Sequence, residues 1–265
     1  MLAYINPERL KWARIKAGFS IEEAAKSNLN PEKLRKAEEG DEKLTFKQFL
    51  KIANRYKKPP AFFYLKTPLK DDLINKKSDF RTIESKEVRF SPRLRDEIEN
   101  VKEKRELAVN YKSYDKDYDY SFISSINLNF NPENVGKKIL NLLDLNFAHR
   151  KEWNTKYDAF NGWKERIERI GVLIFQISRI DTEEMRGFSI PKTPYPTIVV
   201  NQGDSVLGRI FTLVHEFCHL MLKKGGICTI SRGEEENHFE IEKFCNAAAG
   251  EALVPKDIIL KKYKY

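Results

Sequence analysis

The segment Arg209-Ile210-Phe211-Thr212-Leu213-Val214-His215-Glu216-Phe217-Cys218-His219-Leu220-Met221-Leu222 constrains the fold more than any other stretch of the chain. It contains no glycine or proline, and its apolar residues run around every side of a helix. A helix of that kind must be buried, so the protein has to build a core around it. Yet His215, Glu216 and His219 sit in the middle of it. His215 and His219 are i and i+4 and therefore project from one face, a turn apart. In a core, two such rings each need polar partners. Alternatively they share a tetrahedral Zn²⁺ at Zn–N distances of about 2.0–2.1 Å. Glu216 lies where its carboxylate reaches a water on such an ion. The spacing is HExxH, in which two imidazoles one turn apart can share a metal ion and the carboxylate beside them can reach its water.

Zinc needs a third protein ligand and one open position. The acids and the histidine that follow are Glu234, Glu235, Glu236, His238, Glu240, Glu242 and Glu251. Glu234 to Glu236 form a charge run of the kind found on solvated loops. Glu242 and Asn246 share a face, at i and i+4, on the apolar helix Ile241 to Pro255, which points to a buried polar destination for both. His238 lies one turn before Glu242. Spacing alone does not choose between them.

Upstream of the histidine helix the texture is β-rich. Val172–Ile177, Arg186–Ile190 and Thr197–Asn201 are three strand-like runs expected to form a small sheet, with a proline-bearing loop between the last two. An exposed edge along Thr197–Asn201 would align an extended polypeptide by strand addition. A cation such as Arg209 or His238 could meet a developing oxyanion, and Arg209 reads rather as a surface or interface residue. From Ser91 to about Tyr114 the apolar spacing gives a long charged helix. Asn131-Pro132-Glu133 opens another, and a third spans about Ala159 to Ile170. Tyr111, Tyr114, Tyr118 and Tyr120 read as packing residues with a wet edge.

The charge is uneven. The chain has 48 Lys/Arg against 39 Asp/Glu, a net +9, and residues 1–70 hold 16 of the bases but only 8 of the acids. A basic N-terminal quarter on a near-neutral body points to nucleic acid or an acidic partner. That quarter reads as four short helices. Asn6-Pro7-Glu8 and Asn30-Pro31-Glu32 are start signals, Ser20 with Glu23 forms a capping box, and Gly18 and Gly40 are stops. Residues 67–92 read as a linker, in which Asp79-Phe80-Arg81 clips onto a neighbouring domain. Cys218, Cys228 and Cys245 are an odd set without a CxxC pair, so the fold does not rest on disulfides and a reducing cytoplasm is expected. No run approaches the ~18 apolar residues of a membrane span, and Met1 to Arg9 lacks the pattern of a secretory signal.

Two resemblances follow from these residues. Arg9-Leu10-Lys11-Trp12-Ala13-Arg14-Ile15-Lys16-Ala17-Gly18-Phe19-Ser20, Glu38-Glu39-Gly40 and Phe46 to Tyr64 resemble the helix-turn-helix domain of the XRE family, although the turn Ser27 to Asn30 lacks the usual glycine. The resemblance implies that Pro31 to Glu38 lies in a DNA major groove, with Lys33, Arg35 and Lys36 facing the nucleic acid. Trp163 to Pro255 resembles the ImmA/IrrE family of metallopeptidases, through Gly187-Phe188, Ile198-Val199-Val200-Asn201, Arg209 to His219, Glu242-Lys243-Phe244-Cys245-Asn246 and Leu253-Val254-Pro255. It implies that Glu242 completes a zinc site with His215 and His219, that Glu216 is the base, and that the substrate is a protein such as an XRE-type repressor.

The expected architecture is α+β and mostly helical. It comprises an XRE-like bundle (1–66), a linker (67–92), and a helical region leading into a zincin-like domain (93–265, core about 160–256) with a three-stranded sheet. The expected function is that of a cytoplasmic regulatory zinc endopeptidase. The alternatives are a DNA-binding transcriptional regulator with a structural or inactive zinc site, and a toxin–antitoxin or phage-defence component. Cys218, turned from the ligand face, is expected to act as a small buried apolar residue.

Overall fold

A computed structural model describes residues 1–26, 29–65, 90–111, 117–222, 227–228 and 236–257. The expected linker at 67–92, with Asp79-Phe80-Arg81, lies largely outside them. Contacts group the described residues into two compact units: residues 1–65 with 90–99, and 100–257.

The first unit contains α1 (Pro7–Lys16), α2 (Ile21–Ala25), α3 (Pro31–Glu39), α4 (Phe46–Arg55) and a 3₁₀ turn, Pro60–Tyr64. The start signals work as the sequence suggests. The Asn6 and Asn30 side chains accept from the backbone N–H groups of Glu8 and Glu32, and the Ser20–Glu23 capping box is formed in both directions. Gly40 ends α3 at φ +91°, a left-handed conformation that glycine adopts without a Cβ penalty. Leu10, Leu34, Phe49, Ile52 and Phe63 make the core. One ion pair is set into it: Arg14 Nε and Nη2 donate to the two oxygens of Glu38 at 2.8 and 2.9 Å. Of the apolar positions read on α4, Phe49, Ile52 and Ala53 are buried, whereas Phe46 and Leu50 remain exposed.

Helix α5 (Pro92–Asn110) begins in the first unit and ends in the second. Leu94, Ile98 and Val101 point inward as their spacing requires, but Leu107 is exposed. The buried residue of the last turns is instead Arg105, whose guanidinium donates to the carbonyls of Lys192, Pro194 and Tyr195. It fixes the proline-bearing loop through hydrogen bonds, which a hydrophobic pattern cannot reveal. Tyr118 and Tyr120 pack in the same region. The Tyr118 ring lies 6.2 Å from that of Tyr195, and the Tyr120 hydroxyl accepts from the Tyr195 N–H at 3.1 Å, consistent with a packing role.

The second unit continues with α6 (Pro132–Leu142), α7 (Phe147–Lys151), α8 (Lys156–Glu168), β1 (Leu173–Ile177), β2 (Gly187–Ile190), β3 (Thr197–Asn201), α9 (Val206–Leu222), β4 (Ile227–Cys228) and α10 (Glu236–Leu253). Helix α8 starts three residues before its expected position because Thr155 and Asp158 form a capping box. The sheet order is β1-β3-β2-β4. β1 and β3 are parallel, and β2 is antiparallel to both β3 and β4. The three expected strands are therefore joined by a fourth. Two residues after Gly225-Gly226 are too short to carry an alternation signal.

This topology corrects one expectation. Thr197–Asn201 is not a sheet edge: β3 pairs on both sides, all five of its residues are buried, and it has no free ladder for an incoming strand. Asn201 is held for structural reasons. Its side-chain amide donates to the carbonyls of Ile180 and Met185, and its oxygen accepts from the Gly203 N–H.

Helix α9 lies at the centre, packed against α8, β2, β3 and α10, with Leu213, Val214, Phe217 and Leu220 fully buried. Helix α10 in turn packs closely on α6. A Cβ on Gly136 would come within 2.9 Å of the Ala252 backbone N, so only glycine admits this approach. The carboxyl end of α10 is capped by Arg150, which donates to the carbonyls of Ala252 and Leu253 at 2.6 Å while its guanidinium lies over the Trp163 ring. The two helices that carry the expected ligands are thus held by packing on both sides and, for α10, by a cation at its negative end.

Candidate metal centre

Helix α9 presents His215 and His219 from one face, and α10 presents Glu242 to them. The His215 and His219 Nε2 atoms are 3.0 Å apart. Each lies 3.2 Å from a different oxygen of Glu242. The edges of a tetrahedral zinc site, with ligand distances of about 2.0–2.1 Å, are about 3.3 Å. The triangle formed by these three groups is close to one face of that tetrahedron. Among the described residues it is also the group of metal-ligating side chains found close enough to hold an ion. Both imidazoles are almost wholly enclosed, and Glu242 retains 22 % of its side-chain exposure. The donor set therefore fits a single divalent ion.

Without an ion the three groups compensate one another. Burial opposes the charge on His219, but the Glu242 hydrogen bond, with Glu216 adding, outweighs it and raises the imidazole to about 9. Burial likewise opposes ionisation of Glu242, yet hydrogen bonds from His215 and His219 hold its carboxyl well below the usual carboxylate range. A ligand imidazole must be neutral, so metal binding displaces the His219 proton. The sign follows. Below about 9 the metal-free site is protonated at His219, so apparent affinity rises with pH and levels off above that value. Titration calorimetry at pH 7 in buffers of different ionisation enthalpy is expected to show about one proton released per Zn²⁺ bound.

Glu216 differs from the three. Its side chain is fully buried, and neither carboxylate oxygen meets a hydrogen-bond partner in the geometry described. Burial pushes its carboxyl upward, opposed by the His219 and His215 charges and then by the Ser189 hydroxyl. Ser189, on β2, is itself buried without a formed hydrogen bond. Strand β2 comes this close because Gly187 lacks a side chain: a Cβ there would lie 2.4 Å from the Thr212 methyl and 3.4 Å from the Glu216 Cγ. A fully buried carboxylate whose oxygens lack close hydrogen bonds is costly in a purely structural role. It is chemically useful as a base whose ordinary acidity has been weakened.

The other residues singled out by sequence are distributed as follows. Asn246 does not share the Glu242 pocket but is exposed, one turn further along α10, because the helix meets its neighbours on the Phe244–Cys245–Ala248 side. Arg209 points away from the centre. Its Nη1 donates to Gln176 at 2.8 Å and its guanidinium lies over Phe160, so it holds α9 to β1 and α8 and faces no oxyanion. Glu240 is exposed, and Glu251 accepts from the Lys256 N–H. Glu234 and Glu235, and the side chains of Glu236, His238 and Cys228, lie outside the described residues. Cys218 is fully buried beside Cys245, as a small apolar residue would be. Ser189, Gly187 and Phe211 enter from outside the motif. The Phe211 ring stacks on His215 at 6.0 Å between centroids. Its i−4 spacing from His215 was legible in the sequence. The approach of β2 was not, because it depends on strand pairing.

In the first unit, Lys33 pairs with Glu42 at 3.3 Å and Arg35 with Glu32 at 2.7 Å and Glu22 at 3.8 Å, while Lys36 is exposed.

Two imidazoles and a carboxylate converge where they could hold one metal ion, with a further buried carboxylate, Glu216, beside them on the same helix. Comparison with known families agrees: residues 167–265 match the family model Peptidase_M78, the IrrE N-terminal-like domain. The match covers α9 and α10 and all four centre residues, and it begins well after the N-terminal unit. Comparison with curated proteins gives no match. No helix among the described residues is long and apolar enough to cross a membrane.

Proposed function

We propose that the chain is a zinc-dependent endopeptidase with a regulatory role, cleaving a protein substrate such as an XRE-type transcriptional repressor in the cytoplasm. The observation that carries this reading is the His215–His219–Glu242 triangle with the fully buried Glu216 carboxylate next to it. Zn²⁺ held by these residues supplies Lewis-acid chemistry, polarising the scissile carbonyl and acidifying water. His215, His219 and Glu242 would hold the ion. Glu216 takes the proton from the attacking water and passes it to the leaving amine. Enclosure of the imidazoles excludes bulk water and strengthens each electrostatic contact. The test is incubation of the zinc-loaded protein with XRE-type repressors encoded near its own gene. Wild type and Glu216→Gln are compared side by side by mass spectrometry of the fragments. Cleavage by both, or by neither, rejects the reading.

The net +8 of residues 1–70 supports a second reading, in which the helix-turn-helix-like unit (1–66) binds DNA through Lys33, Arg35 and Lys36. Two of these cations stand in surface ion pairs, which are worth little and exchange readily for phosphates. Full-length protein is expected to bind duplex DNA with log K falling against log salt at a slope of about −3 for three phosphate contacts. Arg35→Glu with Lys36→Glu is expected to bring that slope close to zero. Salt-independent or absent binding by the wild type would assign this unit to protein docking, the reading that also suits a toxin–antitoxin or phage-defence component.

A further inference from the structure

Where the sheet packs on α9, its buried centre is apolar. Ile174 of β1 with Ile198 and Val200 of β3 project from that face into the core built around the helix. In the register of β2 against β3, Gly187 stands opposite Val200 and Ser189 opposite Ile198, so both belong to the same face. Among the described strand residues of this face, Ser189 is the buried one with a polar side chain. It is 4 % exposed, and its hydroxyl meets no formed hydrogen bond. A buried hydroxyl in apolar surroundings is costly unless an acceptor is at hand. The acceptor that this face approaches is Glu216. A Cβ on Gly187 would lie 3.4 Å from the Glu216 Cγ, and the Ser189 hydroxyl is within reach of the Glu216 carboxylate. That carboxylate also lacks close hydrogen bonds. A donor and an acceptor, each buried and each unsatisfied, therefore face one another across the contact of β2 with α9. The hydroxyl hydrogen rotates to suit its acceptor, so little movement closes the pair.

We propose that Ser189 is a positioning residue for Glu216: its hydroxyl donates to one carboxylate oxygen and fixes the carboxylate plane, leaving the other oxygen to take a proton from water. A glutamate turns about three side-chain bonds, and a donor mounted on a sheet restrains it where the helix alone does not. The use made of the second oxygen rests on the peptidase reading, whereas the pairing itself does not.

The test separates the two. The pairing is measured without turnover, by a double-mutant cycle in urea on full-length, zinc-loaded protein. Its corners are wild type, Ser189→Ala, Glu216→Met and the double variant, the methionine keeping the volume without an acceptor oxygen. The factor by which Ser189→Ala raises the unfolding equilibrium constant is expected to be at least about threefold larger with Glu216 present than with Met at that position. Turnover is then followed on an XRE-type repressor cut by wild type. Ser189→Ala is expected to lower kcat by about 10- to 100-fold, with KM and zinc content close to wild type. Ser189→Cys, which keeps the size but offers only a weak donor, is expected to resemble Ser189→Ala. An additive cycle overturns the proposal. So does an unchanged kcat in Ser189→Ala, or a wild-type kcat in Ser189→Cys, which would make the residue a matter of packing alone. Coupling in the cycle without any cleavage by wild type upholds the pairing and rejects the peptidase reading.

Discussion

Glu216→Gln is expected to retain its zinc and lose hydrolysis, with kcat falling by about 10³-fold or more, in the upper part of the range for loss of a general acid–base group. The substitution keeps the shape of a fully buried side chain and removes only its ability to take a proton. It does not touch the three groups that converge on the ion position. Metal content by plasma mass spectrometry should therefore equal that of the wild type, while cleavage is lost. The fold has a reason to tolerate the change. An ionised carboxylate with no formed hydrogen bond is a burden in a dry interior, and its neutral amide reduces that burden. A melting temperature equal to or above that of wild type, combined with loss of turnover, would identify Glu216 as a residue kept for chemistry at the expense of stability. A variant that lost both zinc and fold would instead make Glu216 a structural element.

Glu242→Ala should have the opposite profile, with metal binding lost first. It removes the only one of the three groups that comes from α10, and with it the hydrogen bonds to both imidazoles. Affinity for Zn²⁺ is expected to fall by more than about 100-fold, since even the loss of outer-shell partners of a ligand costs 10–100-fold. The pH profile gives a second signature. In the metal-free wild type, His219 is raised from its ordinary 6.5 to about 9. Its pairing therefore contributes stability that is complete below about 6.5 and is lost as pH rises through about 9. Glu242 is held below its ordinary 4.5, so its contribution is present above that value and is lost as pH falls through its lowered one. Metal-free wild type should therefore be most favoured by this pairing between about pH 4.5 and 6.5. Glu242→Ala should lack the alkaline decline. Denaturant melts at pH 6 and pH 10 check it: a wild-type difference that survives in the variant would show that other groups cause it.

Glu242 also shows where sequence reasoning ends. On spacing alone it competed with His238 and five other acids, and only a family resemblance preferred it. The structure brings its carboxylate between two imidazoles on another helix, across a packing contact that depends on the absence of a side chain at Gly136. The same limit applied to Asn246. It shares a helical face with Glu242 by period, yet it is exposed, because period fixes the angle around a helix and not which angles meet a neighbour. Strand Thr197–Asn201 was placed correctly residue by residue but was expected at the wrong position in the sheet. Its central place depends on β1 and β2 pairing to either side, and parallel pairing of β1 with β3 bypasses β2 in chain order.

What the sequence determined by itself was local. The caps at Asn6, Ser20, Asn30 and Asn131, the burial of an apolar helix carrying His215, Glu216 and His219 on adjoining faces, and the basic excess of the first seventy residues follow from interactions within a few residues or from composition. What only the tertiary structure decided was convergence: Glu242 meeting the imidazoles, Gly187 letting β2 reach Glu216, Arg105 and Arg150 seeking backbone carbonyls about ninety to a hundred residues away. Those contacts join elements remote in the chain through close packing and hydrogen-bond geometry, and neither leaves a periodic trace along the sequence.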